Sequence, residues 1–260
     1  MPTTHAPARL KRTGAALLTT TLTAAALTLT ACLPSGAEGK TRAGASAEKP
    51  GPYAGLSGAE LLNKSFKATK RAKSLTLQVD TRTADGPEKA YLSVSAKGDC
   101  TGTVSLGTAG TTEFIRTGGT VYMRFDEVML REQVKGMSDE ETEAVMRTLR
   151  GKWVEYDADA DDARDLVELC DLDSHLGALV PDDNVARRAG ESTVNGTPTV
   201  VVTEQDGREK YTVHVSAKGI PFLARIETTG GDDPGTITFS QFDEPVVARK
   251  PAAKDIADID

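Results

Sequence analysis

From residue 185 to residue 242, apolar and polar residues alternate in runs of seven to ten, and each run stops at a tight turn. The turns are Asn195-Gly196, Asp206-Gly207, Lys218-Gly219 and Gly230-Gly231-Asp232. Period two is the period of a strand, and Asn-Gly or Asp-Gly between two such runs supplies the positive φ that a two-residue hairpin demands. A helix would scatter the same apolar residues around its circumference. This half of the chain is therefore restricted to an antiparallel meander.

The first half uses the same alternation with helices added. "LTLQVDT" sets Leu75, Leu77 and Val79 against Thr76, Gln78 and Asp80, and "AYLSVSAKG" sets Leu92 and Val94 against Tyr91, Ser93 and Ser95. Short alternating runs follow at 103–106, 112–117 and 120–125, the last placing Val121, Met123 and Phe125 on one face. Ser57 and Glu60 have capping-box spacing and head a helix in which Leu62 and Phe66 share a face. Ser138 and Glu141 head a second helix to about residue 150, carrying Val145, Met146 and Leu149. After a strand-like stretch at 152–156, Ala163, Leu166, Val167 and Cys170 recur at i, i+3, i+4, i+7. The expected architecture is α+β, a curled antiparallel half-barrel of about ten or eleven strands with helices covering the concave face. The Pro- and Lys-bearing tail is expected to hang at an edge.

The N-terminus reads as an export signal. Arg9, Lys11 and Arg12 precede an apolar run at 15–29, shorter than the roughly 20 residues that span a bilayer. Leu29, Thr30 and Ala31 then precede Cys32, a sequence that resembles the bacterial lipobox. That resemblance implies diacylglycerol attached to Cys32 and cleavage before it. The expected organisation is signal peptide 1–31, lipidated cysteine and linker 32–55, folded domain 56–246 and tail 247–260. The 23 residues at 33–55 are rich in Gly, Ala, Ser and Pro, with a typical reach of about 25 Å as a flexible coil. The expected location is the outer face of the cell membrane, with the membrane itself met through the acyl anchor.

The first 31 residues hold three Lys or Arg and no acid, so their removal takes the formal net charge from −7 to −10. That balance argues against nucleic acid as a partner and against docking of the folded part on anionic lipid by a basic patch. Aromatics are only 5 %, so the core must be mostly aliphatic. Beyond Cys32 stand Cys100 and Cys170, and an even pair in an exported chain reads as a disulfide, the alternative being two buried thiols.

Taken together, the lipobox, the linker, "GAELLNKSFKATKRAKSLTLQV", "VYMRF", "GKWVEY" and "VNGTPTVVV" through "ITFSQF" resemble the LppX/LprG lipoproteins, which have a LolA-like fold. The resemblance implies binding of a lipid or other hydrophobic small molecule between sheet and helices, as carrier or chaperone and not as an enzyme, with no cofactor. The Cys100/Cys170 pair is a departure from the family pattern. On the apolar side of the alternation, Leu77, Val94, Val121, Met123, Phe125, Val145, Leu149, Val213, Phe222, Ile226 and Phe239 are expected to line the cavity. The alternative is that helices fill that space with ordinary core. The chain would then be an interaction or sensor lipoprotein meeting a protein partner that the sequence does not identify.

Two polar patterns compete with this reading. Asp157, Asp159, Asp161, Asp165 and Glu168 occupy positions 1, 3, 5, 9 and 12 of a calcium-loop spacing. Asp162 stands where that loop needs glycine, and the preceding residues read as strand, so an acidic helix cap explains the run without metal. His214, with Thr212 and Ser216 on its face, reads as a surface or edge residue. No nucleophile elbow, zinc-protease motif or phosphate loop accompanies it.

Replacing Cys32 by Ser is expected to move the full chain from the membrane pellet to the soluble or unprocessed fraction. Fractionation with mass analysis of the N-terminal peptide checks this, and an unchanged membrane fraction would contradict the anchor.

Overall fold

The computed structural model describes residues 51–84, 86–177 and 186–259. The expected signal peptide, the lipobox residues Leu29, Thr30, Ala31 and Cys32, and the tether up to residue 50 lie outside the described residues. The first helix, α1 (Gly58–Thr69), starts where its cap predicts. Ser57 Oγ accepts from the Glu60 amide at 3.2 Å, and the Glu60 carboxylate accepts from the Ser57 amide at 2.8 Å. The helix buries Leu61, Leu62, Ser65 and Thr69, while Lys64, Lys67 and Lys70 point to solvent.

Eleven strands form one open antiparallel sheet. Chain order gives β1 (Ser74–Thr83), β2 (Gly86–Ser95), β3 (Cys100–Leu106), β4 (Thr111–Thr117), β5 (Thr120–Phe125) and β6 (Val154–Asp157). Then come β7 (Arg187–Val194), β8 (Thr197–Asp206), β9 (Glu209–Ser216), β10 (Leu223–Thr229) and β11 (Gly235–Ser240). In space the order is β6-β5-β4-β3-β2-β1-β11-β10-β9-β8-β7. Two meanders therefore meet where β1 pairs with β11, and the two edges, β6 and β7, are consecutive along the chain. The connection from one edge to the other must cross a face of the sheet. It does so as the helices α4 (Arg164–Leu169) and α5 (Leu172–Gly177). At the β7–β8 turn Asn195 and Gly196 have φ of 48° and 81°, the left-handed pair that the Asn-Gly signal predicts.

Register fixes which residues share the concave face. Leu75, Leu77 and Val79 stand opposite Val94, Leu92 and Ala90, and these stand opposite Cys100, Gly102 and Val104. On the other side Leu77 meets Phe239, Ile226 meets Ile237 and Val213, and Val213 meets Val202. Cys100 on β3 is disulfide-bonded to Cys170 at the end of α4, Cα atoms 5.4 Å apart, and both are fully buried. The bond ties the crossing helices to the sheet and resolves the pairing left open by the sequence.

Two elements differ from expectation. A short helix, α2 (Glu127–Gln133), follows β5 and packs on α3 (Asp139–Leu149), which the second capping box starts as expected. Asp126 caps α2, one carboxylate oxygen accepting from the Met129 amide at 2.7 Å and the other from the Thr111 amide at 2.9 Å. Gly110 lies against this cap, where a Cβ would come within 2.5 Å of the Met129 nitrogen. The second difference is the tail. With the segment before it, it crosses the convex face as a strap: Thr76 Oγ1 donates to Gln241 at 2.6 Å just ahead of the tail, and Lys250 stands 5.7 Å over the Tyr122 ring. Its end then bonds Trp153, whose amide donates to Asp255 O at 2.8 Å and whose carbonyl accepts from Ala257 at 2.7 Å. Tyr122 points away from the concave face yet is 2 % exposed because this strap covers it.

Removing the bridge with Cys100→Ser and Cys170→Ser is expected to cost about 2–4 kcal/mol, as for native disulfides closing loops of this size. Urea denaturation of the double variant beside the oxidised parent reads the loss; an unchanged midpoint would show that the bond constrains nothing.

Candidate functional site

The concave face divides into a packed end and an open end. At the packed end Leu77, Val94, Val121, Val213, Ile226 and Phe239 are at most 6 % exposed. They form one cluster with Leu61 and Leu62 of α1, Leu166 of α4, Leu172 of α5 and the disulfide. Here the sequence-expected lining residues act as core. Toward the other end of the same strands Val79, Val104, Met123, Tyr211 and Ile237 are only half-buried, and they still touch the cluster.

Geometry explains the division. The helix α1 packs against β7, β8, β9 and β10 in turn, so it crosses the strands rather than running along them. A crossing helix shields a band about 10 Å wide, whereas a ten-residue strand such as β1 is about 33 Å long. Apolar alternation continues past the edge of that band, leaving a half-covered aliphatic row. Phe125, which shares this face, is also half-buried at the end of β5.

The remaining expected lining residues lie elsewhere. Val145 and Leu149 are half-buried on α3 and do not join the central cluster. Phe222 stacks on Phe242, ring centroids 4.1 Å apart, and with Phe239 and Ala224 lines a separate pocket of about 220 Å³. On the convex face a polar hollow of about 740 Å³ is bordered by Gln78, Arg82, Arg225, Glu227 and Thr238. Sequence alternation marks those residues as outward but carries no sign of a hollow.

The described groups of the acidic run have other partners. Asp157 ends β6 and accepts from the Asp159 amide at 2.9 Å, and Asp161 pairs with Arg164. The Asp165 side chain lies outside the described set, and exposed Glu168 lies further along α4. Among the described residues no group of three or more His, Cys, Asp or Glu side chains comes together to hold an ion.

His214 is a correction: it is 7 % exposed, not a surface or edge residue, and its strand β9 lies inside the sheet. Its Nδ1 is 3.5 Å from Thr199 Oγ1 and its Nε2 is 3.6 Å from Glu227 Oε1. Burial pushes its pKa below the ordinary 6.5; Glu227 opposes that shift and Arg225 adds to it. Thr199 is itself 1 % exposed, so this hydroxyl and imidazole are closed to a substrate.

No protein-family model and no curated protein matches the sequence. Solved structures do. LprF from Mycobacterium bovis is 20 % identical, with 75 % of this chain and 97 % of that chain covered, at a TM-score of 0.52. The lipoprotein LppX from Mycobacterium tuberculosis is 14 % identical, covering 74 % and 98 %, at a TM-score of 0.43. The chain shares the fold of LprF, and the sequence resemblance is met at that level. Among the described residues no helix is long and apolar enough to cross a membrane.

The His214 shift has a definite sign. Its folded pKa lies below the unfolded value, so the unfolded state binds the extra proton first. Stability is full above about pH 6.5 and falls as pH drops through that value toward the lowered folded one. His214→Gln is expected to flatten this loss. Melting temperatures of parent and variant at about pH 7.5 and 5.5 check it, and parallel curves would show that His214 is not the group responsible.

Proposed function

We propose that this chain is an exported lipoprotein, acylated at Cys32 and held on the outer face of the membrane, whose folded domain binds an amphipathic lipid without catalysing a reaction. The acyl part of the guest lies along the open end of the concave face, over Val79, Val104, Met123, Phe125 and Ile237. The observation that carries this reading is the half-buried aliphatic row itself. A sheet whose sole task was to close a core would place its apolar alternation under the helices and turn polar beyond them. Here one further row, Val104, Val79 and Ile237 with Met123 and Phe125 beside it, stays apolar where the cover thins, before the face turns polar at Thr81, Glu88 and Glu204. A mostly aliphatic row with a polar rim matches an alkyl chain and its headgroup. Polar groups stand at the same rim, notably Tyr211, whose hydroxyl donates to Glu209 and whose pKa is pushed up to about 12. They offer partners for a lipid headgroup.

The supports for the membrane position are the basic–apolar–lipobox order at the N-terminus and the shared fold with LprF. Two acyl chains, at about 0.8 kcal/mol per buried CH2, hold such a protein on a bilayer.

Organic extraction and mass analysis of the purified full chain tests the binding reading. Acyl lipid is expected to co-purify with the parent, and to fall at least tenfold in Met123→Arg and Ile237→Arg, which put charge on the open row. Thr103→Arg, on the convex side of β3, is expected to keep it. A parent free of acyl lipid would overturn the carrier reading and leave an anchored interaction domain with a filled core.

A further inference from the structure

The basic residues of this acidic chain are not spread evenly. Along α1 the exposed positions are 60, 63, 64, 67, 70 and 71, an i, i+3, i+4, i+7 stripe that carries Lys64, Lys67, Lys70 and Arg71. The one acid on it, Glu60, is occupied by the cap bonds to Ser57. Past the end of α1 the stripe continues. Lys70, Lys97 and Arg116 together border a hollow of about 350 Å³, with Gly98 leaving room for the Arg116 guanidinium 3.0 Å from where a Cβ would stand. Asp171 and Asp173 border the same hollow, and Asp171 is already accepting from the Asp173 amide and from Ser174 Oγ, each at 3.0 Å. None of these six cations forms an ion pair with a described carboxylate. On other surfaces Lys89, Arg124, Arg131, Lys135, Arg150, Arg164, Arg225 and Lys250 do, whereas among the described residues Arg82 and Arg147 stand unpaired but singly, so it is the grouping of six that sets the stripe apart.

The stripe also lies where the tether joins. Residues 52 and 53 are fixed by Arg188, whose guanidinium donates to their carbonyls at 2.8 and 2.6 Å, and the Tyr53 ring lies 5.8 Å from Lys64 Nζ. Tyr53 Oη donates to Ser216 O at 3.1 Å, which brings the β9–β10 turn alongside. That turn adds exposed Lys218 and Ile220, the latter 54 % exposed, an aliphatic tip beside cations.

We infer that this surface, the α1 stripe with the Lys97/Arg116 hollow and the Ile220 tip, docks the folded domain on the anionic headgroups of the membrane to which the chain is tethered. The net charge of −10 argued against such a face, but net charge does not report where charges lie. Each exposed cation near an anionic bilayer adds attraction that decays within a Debye length. The expected tether, if it behaves as a coil with a typical reach of about 25 Å, presents each weak contact to the lipid at high effective concentration. Docking holds one orientation; a tether alone leaves the domain free to tumble. The inference rests on the Cys32 anchor proposed above and is independent of what the concave face binds.

Lysine acylation footprinting of the full chain, on vesicles of phosphatidylcholine alone or mixed with phosphatidylglycerol, tests it. On the anionic vesicles labelling of Lys64, Lys67 and Lys70 is expected to fall at least fivefold, while Lys89 and Lys135 stay unchanged. About 0.5 M salt should restore it. The variant carrying Lys64→Glu, Lys67→Glu, Lys70→Glu and Arg71→Glu, with its Cys100–Cys170 bond verified, should bind added anionic vesicles at least tenfold more weakly than the parent. Equal labelling on both vesicles, or equal loss at Lys89 and Lys135, would overturn the docking face. The mass of the Cys32 peptide reports the anchor separately. If no acyl group is found there, the same footprint with vesicles added to the unlipidated chain still decides whether the stripe docks.

Discussion

The ladder between β1 and β11, with Leu77 opposite Phe239 and Val79 opposite Ile237, joins two meanders that lie about 160 residues apart in sequence. Because the last strand returns to the first, the sheet's free edges are β6 and β7, and the chain between them has to pass over one face. That passage puts α4 and α5 on the concave side. Cys100–Cys170 then holds them there, and the apolar alternation of nine central strands finds its cover. Were β11 paired elsewhere, neither the helical crossing nor the division into packed and open ends would follow.

Much of this architecture is legible in the sequence because its signals are local. Asn195-Gly196 demands positive φ at two successive residues, and Ser57/Glu60 and Ser138/Glu141 satisfy their own helix ends, whatever the rest of the chain does. Alternation also tells which residues share a face. It does not tell how far along a strand the cover extends, and so Leu77 and Val79 look alike in sequence. In the structure one is core and the other is half-open. Coverage is decided by where α1, α4 and α5 lie across the sheet, a property of the pairwise packing and of no single segment.

The misreadings have the same origin. His214 sits between Thr212 and Ser216, neighbours that suggest water, but its surroundings come from Thr199, Arg225 and Glu227 on adjacent strands. The tail lacks any period because, apart from one 3₁₀ turn at Ala253–Asp255, it is neither strand nor helix. Its order comes from Trp153, Lys152 and Tyr122, some hundred residues away, and a segment held by long-range backbone bonds leaves no pattern of its own. The helix α2 went unread because its cap, Asp126, heads only two turns and has no reciprocal capping-box partner.

A guest that enters the concave face has to do so without unfolding it, and the constraints are unequally placed. At the packed end the disulfide fixes α4. Gly58 of α1 lies so close to Ala186 that a Cβ would come within 2.4 Å of its carbonyl oxygen, so that helix end is tightly packed as well. The α2–α3 pair carries no covalent tie, and its buried apolar residues are Met129, Leu130, Val134 and Met146. Segments that bury little apolar surface open at the lowest free energy. For the acyl guest proposed above, room is expected on the side of β4 and β5 that α2 contacts, next to Met123 and Phe125, with the disulfide end as the fixed floor.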